Sequence, residues 1–254
     1  MNEPPWYRAF FGQDYLDAYG HRFTPERAER ETAFIQKVLH LGPGDELLDL
    51  CCGHGRHAVP LADRGLRVTG QDLNEDYLRM ARRAASEQGV ALQTICGDMR
   101  EIPFESRFDA IVNLFSAFGY FESENEDRKV LAEIARALKP GGRVLLDLVN
   151  REWVIANPFP NEWRSDDRGR IYLEHREVDL LHSRNHVTFT IVEPDGTRRE
   201  SVGHHFRLYT LAEMLAMLES TGLAFIAAYG DFDGAPYTAS SQRMIVTACR
   251  PPMP

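Results

Sequence analysis

The stretch Leu47-Leu48-Asp49-Leu50-Cys51-Cys52-Gly53-His54-Gly55-Arg56-His57 joins a short apolar run to a carboxylate near its end and then to two glycines. Gly42-Pro43-Gly44 closes the preceding segment, so Glu46 to Cys51 reads as a buried strand bounded by turn residues. Helix-like sequence runs from Gly55 to Arg64 and stops at Gly65. Glycine in a strand-to-helix turn permits positive φ and lets a ligand approach the backbone closely. Open α/β sheets bind ligands outside the carboxyl ends of their strands. The stretch is therefore both a fold element and a candidate binding loop.

The same alternation extends in both directions. Upstream, Trp6, Tyr7, Phe10, Phe11, Tyr15 and Tyr19 mark residues 1–23 as an aromatic N-terminal lid segment. Thr24 and Pro25 are suited to start a helix whose apolar stripe is Phe34, Ile35, Val38 and Leu39. Downstream, Leu66–Gln71 reads as a strand, and Asn74 caps a helix that runs to about Gln88, with Gly89 at its C′ position. Ala91–Cys96 and Phe108–Leu114 read as further strands. A helix from about Glu124 to Leu138 stops at the turn Lys139-Pro140-Gly141-Gly142, before a fifth strand over Arg143–Val149. Strands separated by helices need crossover connections, hence a mostly parallel sheet with both faces covered.

The period then changes to strand-like alternation over Ile171–Tyr209, with a Pro194-Asp195-Gly196 turn and no crossover helix. Asn157–Arg170 is polar, carries Pro158 and Pro160, and reads as a loop or lid. Helix returns at Leu211–Ser220, followed by strands at Ala224–Tyr229 and near Arg243–Cys249. The expected fold is a doubly wound α/β domain (1–150 with 210–254), its mostly parallel sheet seven-stranded. An antiparallel β insertion (151–209) follows the fifth strand as a substrate-side lid.

Composition bounds the function. The 254 residues carry 29 Lys and Arg against 38 Asp and Glu, a formal charge of −9, with no basic stripe that would track a nucleic-acid backbone. The densest cationic run, Arg79 to Arg83, is interleaved with Met80 and Ala81 and reads as a solvated helix face. No apolar run approaches the roughly 20 residues that span a bilayer. The N-terminus lacks the basic and apolar regions of a signal peptide, and Cys51, Cys52, Cys96 and Cys249 form no CxxC spacing. A cytoplasmic protein with reduced thiols, no membrane and no nucleic-acid partner is expected.

Two ligands fit the glycine turn: a dinucleotide and S-adenosylmethionine. The pattern GxGxxG anchored with Gly53 as its second glycine needs glycines at 51 and 56, where Cys51 and Arg56 stand. Anchored at Gly53 and Gly55, it needs glycine at 58, and Ala58 satisfies only the looser form. By contrast, Asp49-x-Cys51-x-Gly53-x-Gly55 resembles motif I, (D/E)xGxGxG, of class I S-adenosylmethionine-dependent methyltransferases. The departure is Cys51, where the family most often has glycine. Asp72 ends the second strand 23 residues beyond Asp49, beside Leu73, and a carboxylate there can accept both ribose hydroxyls. Cys96-Gly97-Asp98-Met99 resembles the adenine-binding segment, which implies that Asp98 accepts from the adenine amino group and that Met99 or its neighbour packs on the ring. Phe108–Asn113 resembles the fourth strand, whose end faces the reactive methyl, and Leu138–Arg143 the turn before the fifth. Five segments in family order cover roughly 45–150. Asn113–Phe121, Arg207–Thr210 and Tyr229–Phe232 further resemble a bacterial small-molecule branch that includes sugar N-methyltransferases with a β insertion over the active site.

The resemblance implies S-adenosylmethionine as cofactor, S-adenosylhomocysteine as product, and an in-line displacement by a nitrogen or oxygen of a small molecule. The cofactor-binding set is then Asp49, Cys51, Gly53, Gly55, Asp72, Leu73, Gly97, Asp98, Met99 and Asn113. Tyr15 and Tyr19 join it as aromatic faces for the sulfonium, since such faces attract cations. Asp49 carries the strongest physical case, because a carboxylate in an apolar strand is expensive unless a ligand or a hydrogen bond partners it. A hydroxyl acceptor would want a base, for which His204, His205 and Tyr120 are the candidates. Adjacent residues in a strand face opposite ways, so at most one of the two histidines looks inward. Cys51, Cys52, His54 and His57 invite a zinc reading, but neighbouring strand residues diverge and no second ligand cluster follows, so no metal is expected.

The acidic chain favours an amine acceptor. Asn113-Leu114-Phe115-Ser116 lacks the Asn/Asp-Pro-Pro-Tyr pattern of DNA and protein amino-methyltransferases. An NAD-dependent oxidoreductase and a catalytically silent cofactor-binding subunit stand as the alternatives, and the oligomeric state is left open between monomer and homodimer.

Overall fold

The computed structural model describes residues 5–252. Two short helices open the chain, α1 (Trp6–Phe10) and α2 (Gln13–Tyr19), followed by a 3-10 turn over Gly20–Arg22. The regular alternation begins with α3 (Pro25–Leu39), where the Thr24 side chain accepts from the Arg27 backbone N–H at 3.3 Å. Then come β1 (Glu46–Leu50), α4 (Ala58–Asp63), β2 (Arg67–Asp72), α5 (Glu75–Glu87), β3 (Leu92–Cys96), β4 (Phe108–Asn113), α6 (Glu124–Ala137) and β5 (Leu138–Val149). Asn74 caps α5 through two backbone N–H groups, and Gly89 follows that helix at φ +71°.

The inserted region holds α7 (Arg151–Ala156), β6 (Asn161–Ser165), β7 (Ile171–Asp179), β8 (Arg184–Val192) and β9 (Arg198–Arg207). The chain ends on α8 (Leu211–Ser220), β10 (Ala224–Tyr229) and β11 (Arg243–Cys249). Thr210 and Glu213 form a reciprocal capping box at the start of α8.

Among the described residues the strands form a seven-stranded sheet, ordered β10-β11-β5-β4-β1-β2-β3, and a four-stranded sheet, ordered β6-β7-β8-β9. β11 runs antiparallel between β5 and β10, while β1 pairs in parallel with both β2 and β4. The strand order reverses at β1, next to which the sheet opens a crevice at its carboxyl edge. One apolar core lies between the sheet and α6 and α8, built on Phe108, Ile111, Leu131 and Leu218. The other lies beneath α3, α4 and α5, with Ile35, Leu47, Leu61 and Leu78. A smaller cluster joins Phe10, Ala18 and Tyr19 to Tyr172, Phe189 and Ile191, so the N-terminal helices sit between the two sheets. No helix among the described residues is long and apolar enough to cross a membrane.

Two expectations need correction, and the N-terminal segment gains a defined form. Asn157–Arg170 is not all loop: Asn161–Ser165 pairs antiparallel with Ile171–His175 as the sheet's polar edge. Its strand character comes from that pairing, which leaves no apolar alternation in the sequence. The turn Lys139–Gly142 is absorbed into an irregular start of β5, where Leu138 opposes Phe108 and the ladder resumes at Arg143 opposite Ala110. The aromatic N-terminal segment is helical, held by its contacts rather than by helical periodicity.

Candidate active site

A cavity of about 540 Å³ opens at the carboxyl ends of β1 and β2. Its walls come from the loop after β1 (Asp49, Cys51–His54, Arg56, His57), from Asp72–Tyr77 and from Gly97–Met99. Leu114, Phe115, Ala117, Tyr120 and Phe121 after β4 complete the floor, and Tyr7–Ala9, Phe11, Gly12, Tyr15 and Phe23 form the roof. The roof is tied down: Asn74 Nδ2 donates to the Phe11 carbonyl at 2.6 Å, and the Tyr77 hydroxyl to the Gly12 carbonyl at 3.1 Å.

The loop after β1 is left-handed at Cys51 (φ +66°), Gly53 (φ +55°) and Gly55 (φ +87°). The Cys51 and Cys52 N–H groups both donate to the Gln71 carbonyl, at 2.7 and 3.1 Å, which anchors the turn to β2. A side chain at Gly55 would meet the Ala81 Cβ at 2.9 Å, so this glycine lets the loop pack on α5. Cys51 adopts a conformation that costs a residue with a side chain about 1–2 kcal/mol, which explains why glycine suits the position. Its Sγ rests 3.6 Å from Met99 Sδ.

Of the five carboxylates lining the cavity, Asp49, Asp72 and Asp98 are held in different states. Asp49 is 1% exposed and its Oδ2 has no hydrogen-bond partner. Burial, reinforced by the charge of Asp72 and opposed by Arg56, pushes its pKa up to about 7. Asp72 is held in place by the Gly53 N–H at 2.8 Å and the Asn74 N–H at 2.8 Å, and burial outweighs these bonds to leave its pKa raised. A carboxylate has about four acceptor sites, so Asp72 retains capacity for hydroxyl donors. Asp98 is gripped by Arg100 at 2.7 and 3.0 Å; burial acts against this, but the guanidinium bonds prevail and hold its pKa below the ordinary value.

The far end of the cavity is aromatic and strained. Phe115 and Ser116 are left-handed at φ +59° and +60°. Asp147 on β5 holds that turn: its Oδ2 accepts from the Phe115 N–H at 2.9 Å and its carbonyl from the Ser116 N–H at 2.9 Å. Arg243 on β11 closes the clamp, with Nε 2.7 Å from Asp147 Oδ1 and Nη2 3.0 Å from Ser116 Oγ. Burial raises the Tyr15 and Tyr120 hydroxyls far above the phenol range. His54 is drawn down to about 4 by burial and then by the charges of Arg56 and His57.

Of the expected site residues, Asp49, Cys51, Gly53, Asp72, Leu73, Gly97, Asp98, Met99, Tyr15 and Tyr120 line this one cavity. Gly55 packs behind the loop, and Asn113 braces the Leu50 carbonyl from below at 3.1 Å. Tyr19 points away: its hydroxyl donates to Glu174 on β7 at 2.6 Å, at the junction of α2 with the second sheet.

The two histidines proposed as bases are also elsewhere. β9 packs against α1, and that contact takes up both rings. His204 lies against Phe10 at 4.7 Å and Phe206 at 5.9 Å, its pKa pulled down to about 4 chiefly by burial. His205 lies on Trp6 and reaches Glu122 at 3.1 Å on the outer side. No residue of 151–209 lines the cavity among the described residues; the insertion meets its walls through the N-terminal helices and through Arg184, which donates to the carbonyl of the lining residue Phe121. Sequence reasoning gave no role to Arg56, weighed His54 only as a zinc ligand, and overlooked Phe23 and Asp147. The first two were visible as polar residues inside the glycine loop, whereas nothing local marked Phe23 or Asp147.

Comparison with known proteins accords with this arrangement. Residues 47–142 match a family described as a methyltransferase domain. The chain is 30% identical over 206 residues to a putative methyltransferase, YqeM, of Bacillus subtilis, covering 80% of this chain and 83% of the relative. It is 30% identical over 184 residues to dTDP-3-amino-3,4,6-trideoxy-alpha-D-glucopyranose N,N-dimethyltransferase of Streptomyces venezuelae, covering 70% and 74%. Among solved structures, it superposes on S-adenosylmethionine-bound CalS10, an amino pentose methyltransferase of Micromonospora echinaspora, with a TM-score of 0.69 and 22% identity over 98% of this chain and 100% of that one. The chain belongs to the class I S-adenosylmethionine-dependent methyltransferases.

Proposed function

We propose that this methyltransferase methylates the nitrogen of a small-molecule amine, in a reducing, cytoplasmic setting that suits its four free cysteines. The observation that carries the choice of amine is that no competent base stands at the aromatic end of the cavity among the described residues. The titratable groups there, among the described residues, are Tyr7, Tyr15, Tyr120, His54 and His57; burial keeps the three hydroxyls protonated and makes His54 a weak base at about 4, and it holds His57, which is engaged by Glu31, below the ordinary imidazole pKa. A neutral amine attacks without prior loss of a proton, whereas a hydroxyl needs one removed. The similarity to dimethyltransferases of two amino sugars supports the same class of acceptor.

The residues present fit the cofactor. The orphaned Asp49 oxygen calls for a cationic donor, such as the α-ammonium group, and Asp72 retains acceptor sites for ribose hydroxyls. Cys51, Gly53 and Leu73 bring backbone to the cavity wall; Gly97, Asp98 and Met99 form the adenine end. When bound, S-adenosylmethionine supplies an electrophilic methyl on a cationic sulfur. The chain's part is alignment and exclusion of water: Phe11, Tyr15, Phe23 and Tyr120 wall off the reacting end, and the Asp147–Arg243 clamp fixes the turn facing it. We assign 1–150 with 210–254 as the cofactor domain, 1–23 as its lid, and 151–209 as an insertion that acts on the substrate side by supporting that lid.

The test is turnover of an amine library that includes nucleotide-linked amino sugars, against matched hydroxyl compounds. Amines should be methylated, with kcat/KM rising as the amine loses its proton, and His204→Gln and His205→Gln should leave that profile intact. Preference for hydroxyl acceptors, with a pH profile abolished by either histidine variant, would overturn the proposal.

A further inference from the structure

Residues 114–123, between β4 and α6, have no regular secondary structure, yet they supply Leu114, Phe115, Ala117, Tyr120 and Phe121 to the cavity wall. A segment without ladder partners must find its backbone hydrogen bonds elsewhere. At its start it finds them on the main sheet, through the Asp147–Arg243 clamp on Phe115 and Ser116. At its end it finds them on the insertion.

Arg184 begins β8 and stands opposite Arg207, the last residue of β9. Their side chains are 12% and 14% exposed. Arg184 Nη2 donates to the Phe121 carbonyl and lies 3.8 Å from Glu122 Oε2. The Arg207 backbone N–H donates to the Gly119 carbonyl at 2.8 Å, and its Nη2 reaches Glu124 Oε1 at 3.0 Å. The approach at Gly119 is close: at φ +92°, a Cβ there would meet the Arg207 carbonyl oxygen at 2.9 Å. The insertion therefore grips the loop on both sides of Tyr120, although among the described residues it lines no part of the cavity itself.

The Phe121 ring is fixed independently of Arg184. It lies 4.3 Å from the Arg100 guanidinium that Asp98 holds, and it meets Tyr7 edge-on at 5.9 Å. Tyr120 differs, because its ring meets only the roof, with Trp6 at 4.9 Å, Phe11 at 5.8 Å and Tyr7 at 6.3 Å. Its direction follows the backbone held between Gly119 and Phe121. A charge-assisted bond from a planar guanidinium fixes that backbone in direction as well as in distance. Arg184 is also an expensive choice for packing alone, since its Nη1 is buried without a partner among the described residues.

We infer that Arg184 is a positioning residue for methyl transfer: from the insertion, it sets the backbone on which Tyr120 is presented to the reacting end of the cavity. The inference rests on the amine methylation proposed above, and it gives the insertion a second route to the substrate besides the lid.

Arg184→Met keeps the apolar stem and removes the donors. With S-adenosylhomocysteine bound, hydrogen exchange should quicken about tenfold or more at the amides of residues 117–123, with β7 and the rest of β8 unchanged. Turnover of a nucleotide-linked amino sugar should lose about tenfold or more in kcat/KM, while S-adenosylhomocysteine affinity by calorimetry changes less than about threefold. Gly119→Ala presses on the Arg207 carbonyl without altering Arg184, and it should give the same three results. Unchanged loop exchange and unchanged kcat/KM in Arg184→Met, or in Gly119→Ala should the first variant not fold, overturn the inference. So does quickened exchange across β7 and β8 with equal losses in turnover and cofactor affinity, which would make Arg184 a support of the fold only. Failure of the unaltered enzyme to methylate any amine overturns the amine reading instead. The role of Arg184 is then decided by exchange, and unquickened amides at 117–123 overturn it.

Discussion

Binding of S-adenosylhomocysteine should release a proton from Asp49, and the structure sets the size of the effect. The carboxyl is buried with one oxygen unpartnered, and burial pushes its pKa up to about 7 in the free protein. At pH 6 only about one molecule in eleven then has Asp49 ionised, and at pH 8 about ten in eleven. An ammonium group placed on the orphaned oxygen favours the ionised form, so affinity should rise about tenfold from pH 6 to pH 8, or about 1.4 kcal/mol. Close to one proton should leave per ligand bound at pH 6, and about a tenth of one at pH 8. His54, at about 4, stays neutral over this range. Asp72 is also raised by burial, so the Asp49→Asn variant is needed to isolate the Asp49 contribution. The assay is calorimetry in buffers of different ionisation heat, with 5′-methylthioadenosine as the ligand that lacks the ammonium group. A flat affinity and no buffer dependence at pH 6 would refute the reasoning. Survival of the full dependence in Asp49→Asn would move the proton to another group.

Other outcomes follow from the same geometry. Asp147→Ala removes the acceptor for the Phe115 N–H and leaves Arg243 without its carboxylate, so urea denaturation should show a loss of about 3 kcal/mol, together with a lower kcat. A loss below about 1 kcal/mol would show that the left-handed turn holds without the clamp. Tyr209→Phe deletes the hydroxyl that donates to Asp127 at 2.6 Å. Burial sets the Asp127 pKa to about 7 despite that bond, so the stability linked to its raised pKa is full in acid and lost as pH rises through about 7. The variant should therefore lose about 1 kcal/mol more at pH 8 than at pH 5.5, with a ceiling of about 1.4 kcal/mol set by a pKa of about 7, and equal losses would argue against an ionised Asp127. At Cys51, φ +66° disfavours a β-branched residue, so Cys51→Val should cost about 2 kcal/mol in thermal denaturation while Cys51→Gly stays within about 1 kcal/mol of the parent. The reverse order would mean that the Sγ contact with Met99 outweighs the backbone strain.

The sequence by itself determined what short-range chemistry can determine. The caps at Thr24 and Asn74 act within three residues of the helices they start, and buried strands such as Leu47–Leu50 show their apolar runs directly. Asp49, Gly53 and Asp72 were legible because each sits at the end of a strand in an alternating pattern, and strand ends share one edge of a parallel sheet. Tertiary structure decided the rest, because those features depend on partners distant in the chain. β6 is a strand only through its pairing with β7, and His204 turns from the cavity because β9 packs against α1. Tyr19 finds its partner 155 residues away, Arg56 meets Glu31 across 25, and Asp147 holds a turn 32 residues before it. A local pattern records the intrinsic preference of a segment. Which buried charge meets which, and which side chain reaches the cavity, depends on how the sheets and helices dock, and that docking energy is spread over contacts no short window contains.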